Sequence, residues 1–229
     1  VKAIDVAHST VTLSQALYGG SGTHAFTFDR YQYMLDFSGF TAMSKVEIVD
    51  VEFLANGLAS CIMLAHTGEQ FRLADSVLNK PKDRGITSIN SGCQDLKISR
   101  CDFISNEQDT NSQDRTSIVF NVNANDSKIY MNRASRFASV GVLAGSGHMF
   151  VGNHFFGGDN ATLGSRRACL VFTDTNIKTM ITGNYIDNSY VEMSNEHDND
   201  PNLTTGFTFG GLTMSGNIFT ANNVAPSFC

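Results

Sequence analysis

Tryptophan is absent from the chain and proline occurs three times, so neither an indole-lined sugar platform nor a proline-rich linker is available. Charged residues make up only 17%, against roughly a quarter in an average globular chain. The net charge of −6 is scattered, with no basic stripe and with Arg166-Arg167 as the one local basic pair. That distribution excludes nucleic acid and anionic membrane as expected partners. No apolar run approaches the ~18 residues of a membrane-spanning helix, so no membrane insertion is expected. The opening residues lack both Met and the charged-then-apolar order of a signal peptide, so no targeting segment can be read there. The five cysteines, Cys61, Cys93, Cys101, Cys169 and Cys229, show no metal-ligand spacing and are odd in number. Buried thiols are the expected state.

What the chain has in quantity is Gly, Asn, Ser and Thr together with short apolar stretches, a profile rich in strands and turns. Residues 46–53 (VEIVDVEF), 71–78 (FRLADSVL) and 96–103 (LKISRCDF) repeat one pattern in two steps of 25 residues. The pattern returns at 150–155 (FVGNHF), 181–186 (ITGNYI) and 214–219 (MSGNIF), with a weaker copy at 129–134 (IYMNRA). A second short apolar strand follows each unit, at 61–64, 85–89, 117–120, 140–143, 168–172 and 190–193. Repeats of this length bury their inward side chains only against their neighbours, which predicts a stack of coils. A β-sandwich would show hairpin turns and a propeller needs about 40 residues per blade, so both fit less well.

The expected fold is therefore all-β: a right-handed parallel β-helix, a solenoid of about seven coils. Residues 1–35 are read as lead-in strands and a first coil, and residues 36–229 as the β-helix itself. Asn153, Asn184 and Asn217 occupy equivalent places and are expected to stack as an amide ladder inside the turn. The chain opens without Met and closes on an apolar run, 224–229, with no polar cap, so it is expected to be a piece of a longer polypeptide.

The Gly-Asn-x-Phe turns, with text such as Gly183-Asn184-Tyr185-Ile186, resemble the pectate-lyase-like superfamily, and within it polygalacturonase-related proteins and phage tailspikes. The resemblance spans about residues 36 to 223 and rests on repeat texture, so it speaks for fold more than for function. It implies contact with a polysaccharide, an extracellular or virion-associated location, and trimers among the tailspike relatives. The superfamily's enzyme motifs are not matched; Phe172-Thr173-Asp174-Thr175 is the nearest approach. Glycan binding by a virion spike or surface protein is the first expectation. A secreted glycoside hydrolase or polysaccharide lyase is the alternative, and whether the chain is an enzyme stays open.

Coil-length differences fall mainly at two inserts, 105–115 and 157–167, and insertions in repeat folds collect on a binding face. Arg115, Arg166 and Arg167 end these inserts, and guanidinium forks suit acidic sugars. With Asp114, Asp159 and Tyr185 they form the expected glycan-binding set, and His154 and Tyr190 offer further stacking faces. Asp174 and Glu196 follow corresponding strands on consecutive coils and form the candidate catalytic carboxyl pair. His197, between Glu196 and Asp198, is a candidate base. Each of these acids also fits a simple turn role. Asp198-Asn199-Asp200 lacks the Gly and distal Glu of a calcium loop, so neither a metal nor another cofactor is expected.

Overall fold

The structure is a computed structural model, and it describes residues 3–5, 10–12, 32–39, 45–64, 70–88, 94–106, 117–157, 168–173, 176–193 and 209–220. The chain divides into two compact units, Val1–Arg30 and Tyr31–Cys229. In the first, Ala3–Asp5 and Thr10–Thr12 pair antiparallel. The second is a right-handed parallel β-helix whose three sheets each contain seven strands, one strand per coil.

The first sheet stacks Val46–Val49, Phe71–Ala74, Lys97–Ser99, Lys128–Tyr130, Met149–Val151, Asn176–Thr182 and Phe209–Ser215. The second stacks Glu52–Leu54, Val77–Asn79, Asp102–Ile104, Arg133–Ser135, His154–Phe156, Tyr185–Asp187 and Ile218–Thr220. The third stacks Tyr33–Asp36, Ser60–Met63, Arg84–Thr87, Ile118–Asn125, Ser139–Ser146, Leu170–Phe172 and Val191–Glu192. Each repeat unit that reads in sequence as one alternating strand is thus two strands, from the first and second sheets, separated by a corner.

The corner has a specific backbone. Asp50, Asp75, Arg100, Met131, Gly152, Gly183 and Gly216 all adopt a left-handed conformation with φ between 52° and 66°. Glycine meets this demand without steric cost, whereas Met131 and Arg100 are held there by the ladder on either side. A second set of left-handed corners, Gln70, Asp95, Asp126, Gly147, Lys178 and Gly211, begins the first-sheet segment. In the six coils that carry both corners they lie five residues apart, while the step from coil to coil varies through 25, 31, 21, 31 and 33 residues.

Immediately after the second corner comes the inward amide ladder, and it is one rung longer than the Gly-Asn text indicates. Asn132 Nδ2 donates to Asn153 Oδ1 at 3.0 Å, Asn153 Nδ2 to Asn184 Oδ1 at 2.9 Å, and Asn184 Nδ2 to Asn217 Oδ1 at 3.0 Å. Each Oδ1 also accepts the backbone N–H of the preceding coil, and each Nδ2 donates to the carbonyl of Ile98, Ile129, Phe150 or Ile181. Buried amides so fully paired are stabilising, because none of their donors or acceptors is orphaned. Ser76 and Cys101 continue the column as smaller polar rungs, with Ser76 Oγ accepting the Val51 N–H at 3.2 Å.

The core runs the length of the helix as stacked columns. Ile48, Leu73, Ile98, Ile129, Phe150 and Ile181 point inward from the first sheet, and Phe53, Leu78, Phe103, Ala134, Phe155 and Ile186 from the second. Phe103 packs edge-on to Phe120 at 5.2 Å between centroids, and Phe150 touches both Phe155 and Phe172 in the same manner. Such pairs add about 0.5–1.5 kcal/mol beyond the apolar area they bury. Cys61, Cys101 and Cys169 are buried and free, and burial pushes their thiols up to about 12, 11 and 12. They pack as small apolar side chains and are poor nucleophiles. Cys93 and Cys229 lie outside the described residues.

Candidate functional site

Outward positions of the second sheet line up because the register is strict. The residue after each ladder rung is the first to face solvent, so Asp102, Arg133, His154, Tyr185 and Ile218 form one column along the helix. His154 and Tyr185 lie ring on ring, with centroids 4.7 Å apart and planes within 15°. That separation is the spacing of adjacent strands, so the stack follows directly from placing two flat side chains on neighbouring rungs. Nε2 of His154 is buried and has no hydrogen-bond partner. Tyr185 remains 36% exposed and Ile218 beside it 60%.

A parallel column two residues on carries Ile104, Ser135, Phe156, Asp187 and Thr220. The Arg136 guanidinium lies over the Phe156 ring, 5.8 Å from its centroid, a cation–π arrangement. Asp187 accepts a hydrogen bond from the Thr220 hydroxyl. Among the described residues Arg133 pairs with no carboxylate, although Asp102 stands on the adjacent rung. One face thus presents a flat ring pair, a second ring, an exposed guanidinium and a carboxylate.

The first sheet differs. Here Arg72 pairs with Glu47, Arg100 with Asp75 and Lys128 with Asp95 across rungs, and Lys97 pairs with Asp95 within its own coil. Arg100 holds the Asp75 carboxyl below the usual carboxylate range, and Lys97 does the same for Asp95. Exposed pairs of this kind contribute little each, but they leave no unmatched basic strip on that face.

Of the residues expected from sequence to form the site, the structure describes Tyr185 and the two further ring faces His154 and Tyr190. Tyr185 and His154 stack on each other, whereas Tyr190 lies just before the third-sheet strand Val191–Glu192, its carbonyl accepting the Cys169 N–H. Arg115, Arg166, Arg167, Asp114, Asp159, Asp174, Glu196 and His197 lie outside the described residues. Their anchor points are described. Both inserts leave the second sheet, after Asp102–Ile104 and His154–Phe156, and rejoin at the start of a third-sheet strand. Asp174 follows the third-sheet strand Leu170–Phe172, and Glu196 follows Val191–Glu192, its direct parallel neighbour. The inserts and the acid pair are therefore anchored at opposite edges of the third sheet.

Arg133, Phe156, Arg136 and Asp187 were not read as site residues from sequence. Arg133 was within reach, since it follows Asn132 as His154 follows Asn153 and Tyr185 follows Asn184. The column becomes legible only once 129–134 is aligned with the other copies.

Inside the helix, His148 is fully buried and its Nε2 lies 3.0 Å from the Ala144 carbonyl. Burial lowers its pKa to about 4, partly offset by the Ala144 carbonyl and by Asp126. A base depressed when folded takes up a proton on unfolding between about 4 and its ordinary 6.5, so its stability contribution is present above 6.5 and lost as pH falls through that window. The loss is of order 3 kcal/mol, at about 1.36 kcal/mol per unit. Urea unfolding at pH 7 and pH 4 should therefore show wild type losing more stability than His148→Gln by about that amount. Parallel losses in the two proteins would remove His148 as the cause.

Among the described residues no helix is long and apolar enough to cross a membrane, and no group of three or more His, Cys, Asp or Glu is placed to hold a metal ion. Comparisons with protein-family models, with curated proteins and with solved structures give no match.

Proposed function

We propose that this β-helix binds a polysaccharide along the outer face of its second sheet, as part of a virion spike or other surface protein. The observation that carries this reading is the His154–Tyr185 ring stack, with the exposed Arg133 on the next rung and the Arg136–Phe156 pair beside it. Sugar rings have apolar faces that lie flat on aromatic side chains, while their hydroxyls and acidic groups seek guanidinium and carboxylate partners. The inserts ending in Arg115 and Arg166-Arg167 start at the edge of this same sheet and would extend the contact. The pectate-lyase-like texture of the repeats supports the same class of ligand. Tailspike-like trimers belong to this reading as well, and sedimentation of the protein tests them.

Binding to a panel of bacterial surface and plant polysaccharides, measured by calorimetry, is the direct experiment. Tyr185→Ala and Arg133→Ala should each weaken binding at least tenfold, about 1.4 kcal/mol, with melting nearly unchanged because both side chains are exposed. Wild-type affinity in both variants would remove the second-sheet face from consideration. New reducing ends or unsaturated-sugar absorbance in the same incubations would add cleavage, and Asp174→Asn and Glu196→Gln would then be the first variants to assay.

A further inference from the structure

We propose that the interior of the helix holds a short file of bound water molecules at the corner where the third sheet leads into the first, bridging Ser127, His148 and Thr179. These three residues occupy one register position on successive coils, each following a left-handed corner at Asp126, Gly147 and Lys178. All three are buried, with exposures of 0%, 0% and 1%. Ser127 Oγ, His148 Nδ1 and Thr179 Oγ1 each lack a hydrogen-bond partner, as does Oδ1 of the buried Asn176 on the same strand as Thr179. Four orphaned polar atoms gathered at one corner are not scattered exceptions. Each would cost about 1–3 kcal/mol if left dry.

Their chemistry is complementary to water. The Ala144 carbonyl can only accept, so Nε2 of His148 carries the proton and Nδ1 is a bare acceptor. Ser127 and Thr179 each bring a hydroxyl that can donate, and Asn176 Oδ1 accepts. The backbones of adjacent coils are about 4.8 Å apart, a gap that the long amides of the ladder span directly but that Ser127 Oγ, His148 Nδ1 and Thr179 Oγ1 do not, each being without a direct partner. Nδ1 has one lone pair, so one water donates to it and accepts from Ser127 Oγ, and a second water, hydrogen-bonded to the first, accepts from Thr179 Oγ1 and donates to Asn176 Oδ1.

Room for them comes from the side chains themselves. The same register position holds the fully buried Leu96 one coil before Ser127, so the interior there accepts a larger side chain than Ser. Leu96, fully buried, closes the file at one end.

Two measurements test the file. A high-resolution crystal structure of the chain should show one ordered water within hydrogen-bond distance of Ser127 Oγ and His148 Nδ1, and a second within hydrogen-bond distance of the first and of Thr179 Oγ1. In solution, oxygen-17 relaxation dispersion should register about two fewer long-lived internal waters in the variant Ser127→Ala/His148→Leu/Thr179→Val than in wild type. If that variant does not fold, the near-isosteric Thr179→Val serves, with the loss of about one. A dry interior, or hydroxyls bonded directly to the imidazole, would overturn the proposal, and so would an unchanged count of long-lived waters.

Discussion

Phe155→Ala is expected to destabilise the helix by about 3–5 kcal/mol, whereas Phe156→Ala, one residue away, should cost no more than about 1 kcal/mol. Phe155 is fully buried, packs against Phe150 and sits in the inward column between Ala134 and Ile186. Truncation there leaves a cavity that the stacked sheets on either side cannot close. Phe156 faces outward beneath Arg136 and keeps part of its surface in water. Urea midpoints of the two variants decide the matter. A shift of one residue in strand register would exchange the two effects, so similar midpoints would show that the register is wrong.

Asn153→Ala should have a comparable effect for a different reason. Its amide accepts from the Asn132 N–H and Nδ2 and donates to Ile129 and Asn184. Removing it leaves the buried Asn132 N–H without its acceptor and the Ile129 carbonyl without its amide donor, at about 1–3 kcal/mol for each group, so roughly 3 kcal/mol or more in total. Asn153→Asp should do no better, since a carboxylate would face the Asn184 Oδ1 across the rung with no proton to offer. Equilibrium unfolding of Asn132→Ala, Asn153→Ala and Asn217→Ala gives the control. The half-buried Asn217 should matter least, and equal, small losses at all three positions would mean that the ladder contributes little.

The repeat was legible because its inward residues are constrained twice, by burial and by the ladder. Gly152, Gly183 and Gly216 announce the corner, since glycine before asparagine is the cheapest way to turn there. Where Arg100 or Met131 fills the same corner, nothing in the residue type signals a left-handed backbone, and the two strands on either side read as one. The 21-residue coil from Asp126 to Gly147 shows in the sequence only as the weaker copy at 129–134 for the same reason.

The candidate site was less legible, since an outward column imposes no period of its own. Asp102, Arg133, His154, Tyr185 and Ile218 share a register but no chemistry, so only the backbone reveals that they are neighbours. His154 and Tyr185 could be named as ring faces beforehand. Their mutual contact depends on both occupying the same place in coils of unequal length.

The fixed five-residue interval between paired corners has a consequence for how such a chain can change. Frame and variable region are separated as in an immune receptor: rungs keep their phase whatever length is spliced in after the second sheet. Coils of 21 and 31 residues already coexist without disturbing the ladder. Foreign segments grafted between Asn106 and Ser117, or between Gly157 and Ala168, would therefore be displayed side by side at a chosen rung, with the neighbouring coils serving as an unaltered ruler.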